Sequence, residues 1–269
     1  MTGGPPARRA APAGAVLLLA ALAATGCGPQ MAAPPKENPV LADLVDYRSA
    51  LTMLREGRAD EAIALLQRAR QASPRDPHVP NAMGLALLYK KDYPGALRAF
   101  SDALSLDPTF VESRNNRGVA YFQAGKWDDA ETDFQDVLDG PPTPEKVNAH
   151  YNLGLLQEKR GRYRDAEREF SLALADSPDN TRAYRARGLA RMKLEQTSSA
   201  LEDFLVVLKD EPKDPVANYQ AAICLLASDR RDLARKFMQR ALEASPESEE
   251  GRKAKRWLEN EPRPAEGKP

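Results

Sequence analysis

Few residues of this 269-residue chain have the types and spacing that catalysis or metal binding needs. The neighbouring carboxylates Asp128 and Asp129 could act as a general acid and base, but such pairs are also typical of a helix's first turn, where they favour the dipole. The two histidines, His78 and His150, are far apart in the sequence and have no evident ligand partner. Cys224 lies in an apolar run, which favours a small core residue over a nucleophile.

Sequence motifs of known enzyme chemistry are also missing. The chain has no Ser-x-x-Lys, no Gly-x-Ser-x-Gly, no His-Glu-x-x-His and no Gly-rich phosphate loop. Its 39 Lys and Arg balance 39 Asp and Glu, and this zero net charge disfavours a general nucleic-acid binder. We therefore expect a protein that is not an enzyme, with no cofactor, no metal site, no nucleic-acid partner and no small-molecule substrate.

The N-terminal segment has the parts of a secretory signal. Arginines at 8 and 9 precede an apolar run over 15–24, which is too short to span a bilayer, since a span takes about 20 apolar residues. Residues 24–27 are Ala-Thr-Gly-Cys, and small residues before a cysteine at this place resemble the lipobox of bacterial lipoproteins. The resemblance implies cleavage before Cys27 and lipidation of this residue, including a diacylglycerol thioether and an acyl chain such as palmitate. The alternative is an ordinary secretory signal with a chance cysteine.

The residues after Cys27 bear on location. Gly28, rather than Asp, follows the cysteine, and in a Gram-negative host this resembles outer-membrane sorting. We expect a lipid-anchored protein of the bacterial cell envelope, on the periplasmic face of the outer membrane. The predicted signal peptide is 1–26, and 27–42 is interpreted as the lipidated cysteine with a Pro-rich tether.

The rest of the chain carries an internal repeat. The marker of each copy is an alanine, followed at the fourth position by a large apolar residue and at the twelfth by a proline. The alanines are Ala62, Ala96, Ala130, Ala166, Ala200 and Ala234. The large residues are Leu66, Phe100, Phe134, Phe170, Phe204 and Met238. The step between copies is constant, apart from a small expansion before the fourth, and it resembles the tetratricopeptide period of about 34 residues, in which each repeat is two antiparallel helices.

The pattern predicts an all-α fold, a right-handed α-solenoid of six tetratricopeptide repeats plus a C-terminal capping helix. Glycines at 57, 125 and 161 recur at one repeat position, and those at 125 and 161 are expected to end first helices in the left-handed conformation. The predicted repeats are 43–76, 77–110, 111–144, 147–180, 181–214 and 215–248. A capping helix is predicted at 249–260 and a disordered tail at 261–269.

In the tetratricopeptide family the first helices line a concave groove. The resemblance implies that positions 2, 5, 9 and 12 of each repeat face a partner. The predicted partner-binding residues are Leu44, Tyr47, Leu51, Leu54, Asn81, Leu85, Leu88, Asn115, Val119 and Phe122. The alternative is that positions 9 and 12 pack between helices, but a contiguous exposed apolar stripe favours a ligand.

Short motifs in the middle of the chain narrow the resemblance. Asn-Asn-Arg-Gly occupies 115–118, Pro-Thr-Pro-Glu occupies 142–145 and Asn-Leu-Gly occupies 152–154. A six-repeat lipoprotein with these motifs resembles the PilF/PilW/Tgl family, the pilotins of the type IV pilus secretin. The resemblance implies a non-catalytic, protein-binding scaffold that assists assembly or outer-membrane insertion of the secretin.

Two other functions remain open from the sequence. One is an envelope adaptor lipoprotein that recruits peptidoglycan hydrolases or proteases. The other is the docking half of an enzyme, although almost no sequence lies outside the repeats. We expect the partners to be an envelope protein, namely the secretin, and the membrane through the N-terminal lipid.

Overall fold

The structure is a computed structural model that describes residues 45–261. In this range the chain forms thirteen α-helices and no β-strand. The helices are α1 Val45–Arg55, α2 Ala59–Ala72, α3 His78–Tyr89, α4 Tyr93–Leu106, α5 Val111–Gln123, α6 Trp127–Asp139, α7 Glu145–Lys159, α8 Tyr163–Asp176, α9 Thr181–Lys193, α10 Thr197–Asp210, α11 Pro215–Ala227, α12 Arg231–Ala244 and α13 Glu249–Asn260. The predicted all-α fold is confirmed, and the signal, Cys27 and the tether lie outside the described residues.

The chain divides into two compact units, Met1–Asp133 and Phe134–Pro269, with the boundary inside α6. The described residues of Met1–Asp133 are called unit 1, and those of Phe134–Pro269 are called unit 2. In unit 1, α1 to α5 contact one another in chain order, and in unit 2, α7 to α13 do the same. Short connections make consecutive helices antiparallel neighbours. Each unit therefore stacks helix pairs in series, as an α-solenoid does.

The turns between the two helices of a repeat share one backbone conformation. Gly57, Gly125 and Gly161 have φ values of 76°, 76° and 73°, as the glycine pattern predicts. The same left-handed conformation occurs at the equivalent position of the other three repeats, which carry side chains there: Lys91, Glu195 and Asp229, with φ values of 61°, 60° and 55°. The turn geometry thus belongs to the repeat, and glycine is the residue that adopts it without a steric penalty.

Side-chain caps mark the start of two of these helices. The Asp92 carboxylate accepts from the Gly95 backbone N–H at 3.0 Å and caps α4. The Asp214 carboxylate likewise accepts from Ala217 N–H at 2.7 Å and caps α11, whose first residue is proline. Each cap satisfies an otherwise unpaired N–H, which fixes where the helix starts.

The core of the second and fourth repeats pairs a glycine on the first helix with a phenylalanine on the second. A Cβ built on Gly84 would lie 2.5 Å from Phe100 Cε1, and one on Gly154 would lie 2.4 Å from Phe170 Cε1. Both phenylalanines have no exposed surface. The absence of a side chain at these two glycines is what lets the paired helices approach closely.

Helix α13 covers the C-terminal end of unit 2. Its Ala254 is buried with Ala222 and Met238, and Trp257 and Leu258 pack against the same cluster. The Ser248 hydroxyl accepts from Gly251 N–H at 3.0 Å and starts the helix. The last helix pair therefore buries its outer apolar face without a following repeat.

Candidate protein-binding surface

The residues predicted to line a groove are mostly buried in unit 1. Seven of them have at most 7% of their surface exposed: Tyr47, Leu51, Asn81, Leu85, Leu88, Asn115 and Val119. Leu54 and Phe122 are half-buried, and Leu44 lies outside the described residues. These seven side chains belong to the core of unit 1 in this structure, and their direct contact with a partner stays a prediction. That a partner binds at this face stays a prediction.

The reason for this burial is contact with the neighbouring helices. Tyr47 and Leu51 of α1 belong to one buried cluster with Leu66 of α2 and Val79 of α3. A first helix thus meets both its own second helix and the helix that follows. Spacing along the sequence identifies the apolar face of such a helix, but it does not reveal how completely the neighbours cover that face.

Buried polar groups accompany these apolar residues. The Asn116 amide donates to Asn81 Oδ1 at 3.3 Å, across two successive first helices. The Tyr47 hydroxyl has no hydrogen-bond partner among the described residues, and burial, followed by the charge of Asp76, raises the pKa of Tyr47. His78 Nδ1 lies 2.9 Å from Asp76 Oδ1. The start of α3 therefore combines a histidine–carboxylate pair with a buried phenol.

Two bidentate ion pairs, which the sequence did not reveal, hold second helices to first helices. Arg117 donates to both carboxylate oxygens of Asp133, at 2.8 and 2.7 Å, and Arg187 donates to both of Asp203, at 3.1 and 2.7 Å. The Arg191 guanidinium also donates to Asp203, at 2.9 Å. The available signal was the equal spacing of Arg and Asp at positions 117 and 133 and again at 187 and 203. Bidentate geometry makes such pairs specific as well as strong.

The candidate catalytic residues lie apart and in separate environments. Asp128 and Asp129 are exposed in the first turn of α6. Cys224 is fully buried, and burial raises the pKa of its thiol to about 11, which opposes formation of the nucleophilic thiolate. His150 Nδ1 lies 2.9 Å from Glu169 Oε2 in unit 2. Among residues 45–261, no three His, Cys, Asp or Glu side chains are grouped so that they could hold a metal ion.

Length and hydropathy together decide whether a helix can cross a bilayer. Between residues 45 and 261, no helix has both the length and the apolar character that a membrane crossing requires.

Comparison with known proteins identifies the repeats. Two family models, both described as tetratricopeptide repeat, match the chain: one at residues 81–143, 120–181 and 151–215, the other at 191–258. Human tetratricopeptide repeat protein 16 is 36% identical over 107 residues, which make up 37% of this chain and 12% of that protein. The chain therefore matches only a small part of this relative's length.

Two solved structures have the same fold over almost their whole length. Pseudomonas aeruginosa PilF matches with a TM-score of 0.71 and 16% identity, covering 78% of this chain and 95% of PilF. PilW, described as a widely conserved type IV pilus biogenesis factor, matches with a TM-score of 0.71 and 21% identity, covering 80% of this chain and 98% of PilW. At these identities the similarity shows the fold, and it confirms the resemblance to PilF and PilW. The helix pairs and the matched repeats together show that this chain belongs to the tetratricopeptide repeat family.

Proposed function

We propose that this protein is a non-catalytic, lipid-anchored scaffold that helps the type IV pilus secretin assemble in the outer membrane. The observation that carries the proposal is the extent of the match to PilF and PilW, which covers 95% and 98% of those chains. The lipobox-like residues at 24–27 support an anchor at the outer membrane. A scaffold of stacked helix pairs acts by binding proteins, which agrees with a role as an assembly helper.

The anchor is tested by replacing the proposed lipid-bearing residue. Cys27→Ala removes the sulfur that would carry the diacylglycerol, and it lies outside the described helices. We expect the variant to remain folded by circular dichroism but to move from the membrane fraction to the soluble fraction. Metabolic labelling with palmitate should mark the wild type and not the variant. A variant that stays membrane-bound would contradict the anchor.

The secretin role is tested in the host by deleting the gene. We expect the secretin to accumulate as monomer and its multimers to be lost, as seen on immunoblots of membrane fractions. Expression of the wild type from a plasmid should restore the multimers. Unchanged multimers in the deletion strain would reject the secretin role and favour the envelope-adaptor alternative.

The predicted binding face is tested with the two half-buried members of the set. Leu54→Glu and Phe122→Glu place charge on that face without removing a fully buried side chain. We expect each variant to bind purified secretin more weakly while keeping most of its helicity. Leu106→Glu is the matched control, because Leu106 is 40% exposed and was not assigned to the face. If Leu106→Glu weakens secretin binding equally, the loss of binding is not specific to the predicted face.

A further inference from the structure

An open groove of about 720 Å³ lies in unit 1, between α3, α4 and α5. Its apolar part includes four half-buried side chains, Met83, Leu87, Leu97 and Tyr121. Met83 and Leu87 occupy the face of α3 opposite to the predicted binding positions of that helix, since residues on a helix advance by about 100° each. The groove is therefore a different surface from the predicted partner-binding face.

Two cations at the groove form no ion pair within the described part of the chain. Arg98 and Lys126 are both exposed and both line the groove. The Lys126 Nζ lies 5.9 Å from the centre of the Tyr121 ring, and the Arg117 guanidinium lies 5.9 Å from the same ring. Because Arg117 is already paired with Asp133, Arg98 and Lys126 are the cations at the groove that are available to the carboxylate of a ligand.

The carboxylates that line the groove are already engaged. Asp102 accepts from Arg70 at 2.9 Å, and Asp92 caps the start of α4. Three cations and two carboxylates line the groove, which leaves a net charge of +1. This positive charge sits beside the apolar floor.

The repeat symmetry of the chain provides an internal comparison. Residues two repeats further along occupy the equivalent places in unit 2, where Glu167 stands for Leu97 and Arg191 stands for Tyr121. Arg191 Nε donates to Glu167 Oε1 at 2.8 Å, so unit 2 pairs its charges internally. Unit 1 carries Leu97 and Tyr121 at these positions instead, and its cations Arg98 and Lys126 are exposed to solvent.

We propose that the groove of unit 1 binds a segment of a partner protein that carries a carboxylate next to an apolar side chain. The carboxylate lies against Arg98 and Lys126, and the apolar side chain lies on Met83, Leu87 and Leu97. Charge complementarity selects an acidic segment over a basic one, while the apolar floor selects against a purely polar one. This inference does not depend on the partner being a secretin.

The test uses synthetic peptides and the purified full-length protein. An eight-residue fluorescein-labelled peptide of alternating Glu and Leu is titrated by fluorescence anisotropy, beside a Lys–Leu peptide and a Glu–Ser peptide. We expect the Glu–Leu peptide to bind at least about tenfold more tightly than either control, and its affinity to fall as salt is raised. Failure of the Glu–Leu peptide to bind, or equal affinity for all three, overturns the proposal.

Variants then locate the binding. Arg98→Glu should lower the affinity for the Glu–Leu peptide at least about tenfold. The double variant Leu97→Glu with Tyr121→Arg, which copies the ion pair of unit 2, should lower it by a similar factor. The matched control is Arg164→Glu, because Arg164 is an exposed cation of α8 outside the groove. Circular dichroism melts of each variant verify folding. If Arg98→Glu leaves the affinity unchanged, or if Arg164→Glu reduces it equally, the groove is not the binding site.

Discussion

At the scale of single residues, the contact between Gly84 and Phe100 is governed by space. A Cβ at position 84 would lie 2.5 Å from a ring atom of a side chain that has no exposed surface. Alanine gains about 1 kcal/mol of helix propensity over glycine, but forcing a methyl group into a filled core costs about 1–3 kcal/mol. The steric effect is the larger because the ring cannot move into solvent.

We therefore predict that Gly84→Ala lowers the free energy of unfolding by up to about 2 kcal/mol, measured by denaturant titration. Phe100→Leu in the same chain should remove part of this loss, because the smaller side chain gives the new methyl group room. The double variant should then be more stable than the sum of the single effects indicates. Strict additivity of the two substitutions would show that they do not share a contact.

The thiol of Cys224 offers a second prediction at this scale. Burial raises its pKa to about 11 from an ordinary 9.0, so at pH 8 about one thiol in a thousand is ionised rather than about one in ten. In a Cys27→Ser background, we expect iodoacetamide to label native Cys224 slowly, and the rate to rise about tenfold for each pH unit below the pKa. The guanidinium-denatured protein is the control, and native labelling at the denatured rate would contradict the burial.

At the scale of the helix pair, the left-handed turn residue has the same conformation in all six repeats and glycine in only three. Lys91 and Glu195 adopt φ values of 61° and 60° with a side chain present, which costs about 1–2 kcal/mol in this region. Asn and Asp tolerate it better than other side chains do. The unfolded chain gains freedom when glycine is introduced, and this offsets part of the benefit.

We predict that Lys91→Gly and Glu195→Gly each stabilise the protein by about 0.5–1 kcal/mol. Asp229→Gly should gain less, because aspartate already tolerates the left-handed region. Gly125→Ala is the reverse experiment, and it should destabilise although no atom lies within 4 Å of the added Cβ. Thermal melts would measure all four. Destabilisation by Lys91→Gly would mean that its side chain contributes more than its backbone costs.

Much of the helix-pair architecture could be predicted from the sequence. The spacing of the alanines, phenylalanines and prolines was enough to give the fold and the glycine turns, because each feature recurs at a fixed step. The left-handed turn at Lys91 had no residue-type signal. For Leu85 and Val119 the sequence left two interpretations open, a groove position or packing between helices, because the choice depends on how closely neighbouring helices approach. The unpaired charge of Arg98 became visible only when its surroundings were known.

At the scale of the whole molecule, α13 determines whether the chain ends in an apolar or a polar surface. Deleting residues 249–269 would expose the cluster of Ala222, Leu225 and Met238 that α13 covers. An uncovered apolar face of this kind promotes association. Terminal repeats need a polar outer face for solubility.

We predict that a chain ending at Ser248 melts at a lower temperature and forms concentration-dependent oligomers in size-exclusion chromatography with light scattering. The matched control ends at Glu261, which keeps α13 and removes only residues 262–269. It should behave as the full chain does. If both truncated chains stay monomeric and melt at the same temperature, α13 is not needed as a cap.

The Arg–Asp pairs also limit how such a chain can grow or be re-engineered. Arg117 and Arg187 each donate to their aspartate and also to a serine on the second helix of the preceding repeat, Ser101 and Ser171 respectively. The intervening repeat has Leu153 where these two have arginine, so adjacent repeats are not interchangeable. Duplication of the third or the fifth repeat alone would set a half-buried arginine against a neighbour that has Gln135 or Leu205 in place of the serine. An arginine-bearing repeat can therefore be copied, swapped or inserted with its polar contacts complete only together with a serine-bearing neighbour, as in the second and third or the fourth and fifth repeats.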